Sequence, residues 1–289
     1  MKISVKAYAK INLFLDIVSL REDNYHNILS LMQSVSLHDV ITLDYDQSAD
    51  RSIEIICSKE KIPCDKRNLA YKAADLILES GKITITIEKN IPSEAGLAGG
   101  SADAAATLVG LNALIGNKYT KDDLKQLGAK IGADVPFCIE GGACVVEGIG
   151  EKTTPCISMP SFPIVIARMG DGMSTPVAYG MLDNKYNRFA NYIPNKENLN
   201  HLLSSESSSS AENYCRGLFN IFESVVESER SCVSQIKREM IDNGACGAMM
   251  SGSGTSVFGI FGNELDAKNA EHALQNMGAV AYICYPQNT

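Results

Sequence analysis

The sequence "IPSEAGLAGGSADAAA", residues 91–106, is rich in glycine, alanine and serine. The preceding "KITITIEKN" alternates Ile83, Ile85 and Ile87 and predicts a β-strand. The following "SADAAATLVGLNALIG" has the composition of a buried helix that begins at or near Ser101. A strand, a glycine loop and a helix N-terminus in this order direct unpaired backbone N–H groups and the positive end of the helix dipole at the loop. This order favours a bound anion, most commonly a nucleotide phosphate, and the alternative is a simple tight turn.

Two standard nucleotide-binding motifs are excluded by the same stretch. A Walker A loop requires a lysine after its last glycine, and no lysine follows Gly100 or Gly252. A dinucleotide-binding fold places its glycines after the first strand of a βαβ unit, whereas this loop comes much later in the chain. The predicted phosphate site is therefore of another kind.

Composition bounds the classes of protein that need to be considered. The 289 residues suffice for one large or two medium domains, and 45% hydrophobic with 21% charged residues is typical of a globular protein. A net charge of −8 argues against a general binder of nucleic acid or membrane surfaces. No apolar run has the length of a membrane span, and the start "MKISVKAYAK" lacks a signal-peptide core.

Nine cysteines and four histidines show no ligand spacing, and no Cys-x-x-Cys pair occurs. A zinc site is therefore not expected. Free, mostly buried thiols in a reducing compartment explain the pattern, so we expect a cytoplasmic protein.

The order of predicted elements indicates an α+β fold with two domains. Residues 3–17 keep strict period two, and further strands and helices alternate up to residue 148. The stretch 150–163 has three prolines and little periodicity, so we place the boundary there, with domains at 1–155 and 156–289. The serine-rich segment 204–210 predicts a surface loop. Ligand sites usually lie in the cleft between two such domains.

Four further segments carry candidate functional residues, each with a structural alternative. Lys10 and Asn12 lie opposite the apolar face of the first strand, and point either to solvent or into a cleft. Asp134 in "GADVPF" is either a helix cap or a carboxylate held in place beside a proline. Tyr25 and His26 either cover a loop or bind a planar base. "SGSGTS", residues 251–256, either bends a strand or allows the backbone to approach a ligand.

The motifs together resemble the GHMP small-molecule kinases. They are, in order, "YAKINLFLDI", "REDNYHNI", the glycine loop, "GADVPFC", "VEGIGE", "STPVAY" and "MSGSGTSVF", and they run from about residue 5 to residue 261. The glycine loop and "SGSGTS" are shared across the family. The combination of "AKINLFL", "YH" and "GADVPF" is similar to the members whose acceptor carries a cytosine.

Three positions depart from the family pattern. Ala98 replaces a frequent glycine, Ala102 a frequent serine, and Asn24 the usual glycine before Tyr-His. Asn24 can adopt a positive φ more readily than most residues. Ala102 removes one possible serine ligand at the phosphates.

The resemblance implies an ATP-dependent kinase with a two-domain α+β fold and an active site in the interdomain cleft. It implies phosphorylation of the tertiary 2-hydroxyl of a cytidylated methylerythritol, in the non-mevalonate route to isoprenoid precursors. Asp134 accepts the hydroxyl proton, Lys10 keeps Asp134 ionised and stabilises the transferring phosphoryl group, and Asn12 holds the acceptor.

The remaining site residues are also implied by the resemblance. Tyr25 and Tyr179 sandwich the cytosine, and His26 reads its polar edge. Magnesium bridges the ATP phosphates with a contact near Ser101, although no set of metal ligands is implied. The loop wraps the phosphates through Pro92, Ser93, Glu94, Ala95, Gly96, Leu97, Ala98, Gly99, Gly100, Ser101 and Ala102.

Two other functions remain open at this point. The first is another kinase of the family, with homoserine or mevalonate as acceptor, although those acceptors have no base for a Tyr-His pair to stack on. The second is a non-catalytic nucleotide-binding regulator, which would need neither Lys10 nor Asp134.

Overall fold

The computed structural model describes residues 1–204 and 207–288 and contains mixed helices and sheets. The described chain forms two compact units, each discontinuous in sequence. Unit 1 consists of Met1–Ala9, Leu37–Ser93 and Ala98–Gly141. Unit 2 consists of Lys10–Ser36, Glu94–Leu97 and the chain from Gly142 onward. The predicted domain limits of 1–155 and 156–289 remain a prediction.

Within unit 1, β4 (Lys82–Glu88) lies between β3 (Ser52–Cys57) and β2 (His26–Asp46). Strand β4 pairs in parallel with β3 and antiparallel with residues 40–46 of β2. The first four strands of the chain are β1 (Lys2–Leu20), β2 (His26–Asp46), β3 (Ser52–Cys57) and β4 (Lys82–Glu88). Ile83, Ile85 and Ile87 are fully buried, as their alternation predicts, because period two places them on one face of the sheet.

Four helices complete unit 1, and local sequence signals explain where two of them begin. They are α1 (Leu69–Ile77), α2 (Gly99–Leu114), α3 (Lys121–Ala129) and α4 (Val135–Glu140). The Asn68 side chain caps α1, and Thr120 forms a reciprocal capping box with Asp123 at α3. Helix α2 is buried on most of its surface, which explains its run of alanines. A Cβ on Gly110 would lie 2.6 Å from Leu43 Cδ1, so α2 approaches the sheet closely there.

Unit 2 contains two sheets. In the first, the order is β6-β5-β2-β1-β8, with residues 28–33 of β2 antiparallel to β5 and β1 parallel to β8. The second is an antiparallel sheet in the order β11-β7-β10-β9. The strands introduced here are β5 (Ala143–Gly148), β6 (Lys152–Cys156), β7 (Ile164–Arg168), β8 (Phe219–Asn220), β9 (Ala245–Met250), β10 (Val257–Phe261) and β11 (Val280–Cys284).

The helices of unit 2 lie between residues 175 and 276, and several of them form a hydrophobic core with its second sheet. They are α5 (Thr175–Lys185), α6 (Lys196–Leu203), α7 (Ala211–Cys215), α8 (Glu223–Glu229), α9 (Ser231–Asp242) and α10 (Glu264–Asn276). Short 3-10 helices lie at Asn187–Phe189 and Ser207–Ser209. The core includes Val165 and Phe261 from the sheet and Leu182, Ile236 and Leu274 from the helices.

The structure differs from the sequence prediction at two places. Both faces of β1 are buried around Lys10 and Asn12, whose exposed fractions are 3% and 1%, so the solvent-facing alternative is wrong. The stretch 150–163 contains β6, paired antiparallel with β5. Period-two reasoning misses β6 because its sequence "KTTPC" has no apolar alternation and includes Pro155. The predicted surface loop at 204–210 lies partly outside the described residues, at 205 and 206.

Among the helices that the structure describes, none has the length and apolarity required to cross a membrane.

Candidate active site

The glycine loop leads directly into α2. The helix begins at Gly99, two residues before Ser101, and Ala98 is its N-cap residue. Ala98 has φ 57° and ψ 28°, the left-handed conformation, and makes no side-chain capping bond. This conformation costs an alanine about 1–2 kcal/mol and costs a glycine almost nothing. The frequent glycine of the family pattern at this position is therefore explained by backbone geometry rather than by size.

Within unit 2, the part of the loop at 94–97 is bound to the connection between β9 and β10, residues 251–256. Ser251 Oγ donates to the Gly96 carbonyl at 3.0 Å, and the Ser256 backbone N–H donates to the Ala95 carbonyl at 3.3 Å. The Lys10 backbone N–H donates to the Leu97 carbonyl at 3.2 Å. The two glycine-rich segments of the sequence thus form one structure, and "SGSGTS" is a connection between antiparallel strands that supports the loop.

Gly96→Ala is expected to destabilise this arrangement strongly. Gly96 has φ +73°, and a Cβ there would lie 2.1 Å from the Ser251 carbonyl oxygen, a backbone atom that cannot move independently. The left-handed backbone costs about 1–2 kcal/mol, and the overlap adds about 1–3 kcal/mol. We expect a lower free energy of unfolding in urea and a weaker ATP affinity by calorimetry.

Gly100→Ala is the matched control for that substitution. A Cβ on Gly100 would meet only Leu69 Cδ1, at an ordinary 3.5 Å, and Gly100 lies in the first turn of α2. Its free energy of unfolding should change by less than about 1 kcal/mol. Equal unfolding free energies for the two variants would contradict the role assigned to Gly96.

Lys10 and Asn12 form a buried polar cluster on β1. Lys10 Nζ donates to Asn12 Oδ1 at 2.6 Å, and Asn12 Nδ2 donates to Ser30 Oγ at 2.9 Å. Ser30 Oγ in turn donates to the Phe14 carbonyl at 2.6 Å. An ammonium has three N–H donors and Asn12 accepts from one of them, so two can serve a ligand. The Asn12 carboxamide thus positions Lys10, and its predicted contact with an acceptor hydroxyl stays a prediction.

A buried ion triad within unit 1 anchors α2 through Asp103, about one turn into the helix. Lys89 Nζ lies 2.5 Å from Asp39 Oδ2 and 2.6 Å from Asp103 Oδ2. Asp39 Oδ1 also accepts from the backbone N–H groups of Asn90 and Ile91, at 2.5 and 2.8 Å. All three charged side chains are at most 5% exposed. The triad connects α2 to β2 and to the end of β4, so it fixes the start of the helix in unit 1.

One ammonium cannot neutralise two carboxylates, and the pKa values reflect this. Burial alone would lower the pKa of the Lys89 ammonium, but the two carboxylates outweigh it and raise that pKa. Burial raises the pKa of the Asp103 carboxyl to about 7, with Lys89 opposing and Asp39 reinforcing the shift. Asp103 Oδ1 is also buried without a hydrogen-bond partner in the described part of the chain. Asp103 is therefore the member of the triad that takes up a proton most readily.

Asp134 lies in unit 1 at the start of α4. It occupies the N-cap position but makes no side-chain capping bond, so the helix-cap alternative does not account for its carboxylate. The side chain is partly buried. A Cβ on nearby Gly132 would lie 3.7 Å from Ser101 Oγ, so this segment runs beside the first turn of α2. Pro136 at the start of α4 fixes the local backbone.

Two of the three aromatic candidates, His26 and Tyr179, meet in unit 2. His26 stacks on Tyr179 with ring centroids 4.8 Å apart and an interplanar angle of 27°, and Phe189 contacts the same imidazole edge-on at 5.5 Å. His26 Nε2 lies 2.8 Å from Asp183 Oδ1. Tyr25, in contrast, is 61% exposed. Asn24 has φ 64°, which agrees with the expectation that asparagine adopts a positive φ before this pair.

Sequence reasoning missed the partners of the predicted residues. Ser30 and Asn220 carry no sequence signal of their own, although Asn220 Nδ2 donates to the carbonyls of Met250 and Gly252 and holds the β9–β10 connection. Asp103 did carry a signal, because a single acidic residue within an alanine-rich buried helix requires a buried partner. Lys89 at the end of β4 was the basic residue nearest in sequence.

Magnesium binds oxygen ligands, chiefly carboxylates, phosphates and water. In the described ranges no group of three His, Cys, Asp or Glu side chains could hold a metal ion. Magnesium in kinases is held chiefly by phosphates and water with few protein ligands, so this finding fits a nucleotide-bound ion. Ser101 lies in the first turn of α2, and its predicted contact near the magnesium ion stays a prediction.

Comparison with known proteins places these features in a family. The model of the GHMP kinases N-terminal domain matches residues 68–142, and that of the GHMP kinases C-terminal domain matches residues 196–280. The glycine loop and Asp134 lie in the first matched range, and β9, β10 and their connection lie in the second. The chain belongs to the GHMP kinase family and is a kinase.

Within that family, the chain is similar to 4-diphosphocytidyl-2-C-methyl-D-erythritol kinases. It is 43% identical over 270 residues to the enzyme of Clostridium perfringens, covering 92% of this chain and 91% of the relative. It is 41% identical to the enzyme of Caldicellulosiruptor saccharolyticus, covering 94% and 92%. A crystal structure of 4-(cytidine 5'-diphospho)-2C-methyl-D-erythritol kinase superimposes with a TM-score of 0.79 at 29% identity, covering 99% of this chain and 100% of that one.

Proposed function

We propose that the chain transfers the γ-phosphoryl group of ATP to the 2-hydroxyl of 4-diphosphocytidyl-2-C-methyl-D-erythritol. The observation that carries this proposal is the 43% identity to a relative of that name over nearly the whole of both chains. The cysteines are all free, which supports the inference of a cytoplasmic location.

Phosphate binding is assigned to residues 92–102. The left-handed turn at Ala98 ends the loop and begins α2, so the first backbone N–H groups of the helix have no partner within it. These groups and the helix dipole favour the negative charge of ATP phosphates without a Walker lysine. The triad around Lys89 supports this role because it fixes the first turn that presents them.

The chemical step is assigned to Asp134 and Lys10. Phosphoryl transfer requires an oriented acceptor, a group that takes its proton and positive charge to stabilise the transferring phosphoryl. Asp134 is a carboxylate that no side-chain capping bond engages, and we assign it the acceptor proton. Lys10 has N–H donors to spare beyond Asn12, and we assign it the developing charge on the phosphoryl group. Magnesium, when bound, supplies further neutralisation of the phosphate charge.

Recognition of the cytosine is assigned to the aromatic cluster of unit 2. Tyr25 and Tyr179 supply flat apolar faces, and the imidazole of His26 supplies a polar edge. Exposure of the Tyr25 ring leaves its face available to a planar ligand. A homoserine or mevalonate acceptor has no group that would use these rings.

The deciding experiment is a direct assay of phosphoryl transfer. The protein is incubated with magnesium, ATP and the cytidylated methylerythritol, and the product is identified by phosphorus NMR as the 2-phosphate. Parallel reactions contain homoserine or mevalonate in place of the substrate. Turnover with either of these and none with the cytidylated compound would overturn the proposal, and the absence of turnover with all three would favour a non-catalytic nucleotide-binding protein.

His26→Ala is expected to raise the Michaelis constant for the cytidylated substrate. The loss of a buried hydrogen bond to the base costs about 1–3 kcal/mol, which is about 5- to 150-fold. The Michaelis constant for ATP should change little because His26 lies outside the glycine loop. Steady-state kinetics with each substrate varied separately measures both constants.

His38→Ala provides the matched control for the histidine prediction. His38 also lies on β2 and contacts an aromatic ring, that of Tyr8 at 5.4 Å, but belongs to unit 1. We expect near wild-type constants for both substrates. Free cytidine diphosphate should compete with the substrate in the wild type and much less in His26→Ala, and equally strong competition in both would show that His26 does not read the base.

A further inference from the structure

We infer that Asp183 sets the base specificity of this site by fixing the tautomer of His26, so that the site selects cytosine over uracil. The inference rests on the proposed function, which supplies the pyrimidine nucleotide. Asp183 lies on α5 and is 157 positions from His26 in sequence. In this inference Asp183 acts on the base through the imidazole that it contacts, so it is a positioning residue.

The contact between the two side chains is short and sheltered. His26 Nε2 and Asp183 Oδ1 are 2.8 Å apart, and the two side chains are 6% and 20% exposed. The second carboxylate oxygen, Oδ2, lies 3.9 Å from Arg188 Nη1, a favourable charge for an ionised carboxylate. Asp183 thus faces a ring nitrogen on one side and a guanidinium on the other.

An ionised carboxylate accepts hydrogen bonds and cannot donate one. Nε2 must therefore carry the hydrogen in the contact with Asp183, and in the neutral imidazole Nδ1 is then the unprotonated acceptor. Within the parts of the chain that the structure describes, the His26 ring makes its hydrogen bond through Nε2, which leaves Nδ1 as the atom for a ligand. Stacking on Tyr179 and the edge contact of Phe189 hold the ring in this orientation.

An acceptor at Nδ1 distinguishes the two pyrimidines. Cytosine carries an exocyclic amino group, a hydrogen-bond donor, at the position where uracil carries a carbonyl oxygen, an acceptor. The amino group can donate to Nδ1, whereas the uracil oxygen would face it lone pair to lone pair. Because a buried polar group without a partner is costly, we expect wild-type protein to bind cytidine diphosphate at least about 10-fold more tightly than uridine diphosphate.

Asp183→Asn tests the assignment with almost no change in shape. The carboxamide of asparagine can donate to Nε2, so the tautomer with hydrogen on Nδ1 becomes available and can donate to the uracil oxygen. Calorimetry with cytidine diphosphate and uridine diphosphate at pH 8 gives the ratio of their dissociation constants. We expect this preference to fall by about 10-fold in Asp183→Asn, with ATP affinity unchanged.

Asp23→Asn is the control for the loss of one negative charge. Asp23 precedes Tyr25 in the same turn, is 49% exposed and pairs with Arg21. Its carboxylate also accepts from the Tyr25 backbone N–H, which lies outside the His26 ring. The Asp23→Asn variant should prefer cytidine diphosphate over uridine diphosphate as strongly as the wild type does. A loss as large as in Asp183→Asn would show that charge alone governs the preference and would overturn the inference.

A spectroscopic measurement tests the tautomer without relying on the folding of a variant. Nitrogen-15 NMR of the wild type, with the His26 signals assigned by their absence in His26→Ala, should show hydrogen on Nε2 and none on Nδ1 at pH 8. Hydrogen on Nδ1 overturns the inference. Turnover of the cytidylated substrate together with an unchanged nucleotide preference in Asp183→Asn overturns the inference alone, whereas no turnover and no binding of either nucleotide overturn the proposed function as well.

Discussion

Asp134→Asn is expected to lower kcat by about 10²- to 10⁴-fold, the usual contribution of a positioned general base. Asparagine has the same size but does not take the proton of the acceptor hydroxyl. The fold should be retained, because the Asp134 side chain makes no capping bond to α4 that the substitution could remove. If the lost interaction belongs to the transition state, kcat and kcat/KM should fall together while the affinity for ATP stays constant.

The control for this prediction is Asp122→Asn. Asp122 is an exposed carboxylate in the first turn of α3, in the same unit, and its charge lies in the same part of the sequence. We expect a kcat within a factor of about two of the wild type, since exposed substitutions away from a site change free energies by at most about 0.5 kcal/mol. A near wild-type rate for Asp134→Asn would remove Asp134 from the chemical step and return it to a structural position ahead of α4.

The elements predicted from sequence are those that local signals define. Alternation of isoleucines locates β4. The Asn68 and Thr120 side chains, which cap α1 and α3 in the structure, likewise act on neighbours close in sequence. The order of strand, loop and helix around residues 91–106 also agrees with the structure, although α2 begins at Gly99. Each of these features depends on neighbours within a few residues, which a sequence pattern records directly.

The features that could not be predicted depend on residues distant in sequence. Lys89 meets Asp39 across 50 positions, and His26 meets Asp183 across 157. Nothing local distinguishes such a pair from two solvated charges, because the partner is defined only when the strands and helices pack. Motifs predicted the residues that are expected to contact ligands. They did not predict the residues that position those side chains.

Burial explains a second group of misses. Lys10 is 3% exposed, although a lysine on a sheet is usually solvated. A single sequence gives the face on which Lys10 lies, but it does not show that β1 is covered on both faces at that point. The sequence analysis therefore allowed Lys10 to point either to solvent or into a cleft, because its burial depends on tertiary packing.

Lys89→Met is expected to have the largest effect on stability. The substitution leaves Asp39 and Asp103 buried without the ammonium, and breaking a buried ion pair from one side costs about 3–5 kcal/mol. The measurement is the free energy of unfolding in urea. Lys82→Met is the matched control, since Lys82 begins the strand that Lys89 directly follows and pairs with Glu54 at 2.8 Å, but both side chains are about half exposed. Such surface pairs contribute about 0–1 kcal/mol.

The loss of unfolding free energy caused by Lys89→Met should also depend on pH, and the buried carboxyl groups determine the direction of that dependence. Because burial raises the pKa of Asp103 to about 7 even with Lys89 present, the native state holds this proton more tightly than the unfolded chain, whose Asp pKa is about 3.9. The contribution of this proton to stability is complete at pH values below the pKa of Asp103 in the unfolded chain. It is lost as the pH rises through the pKa of Asp103 in the native state. Lys89 favours the charged form of Asp103, so its removal raises the pKa of Asp103 in the native state further. The Lys89→Met variant should therefore lose more stability than the wild type between pH 5 and pH 8.

The destabilisation by Lys89→Met should therefore be larger at pH 8 than at pH 5. Asp103→Asn in the Lys89→Met background removes one of the two uncompensated charges, and we expect it to recover part of the lost stability at pH 8 and little at pH 5. A penalty as small as that of Lys82→Met, or one that is the same at both pH values, would contradict a charged triad. Because the triad fixes the first turn of α2, the Lys89→Met variant should also bind ATP more weakly, while Lys82→Met should bind it as the wild type does.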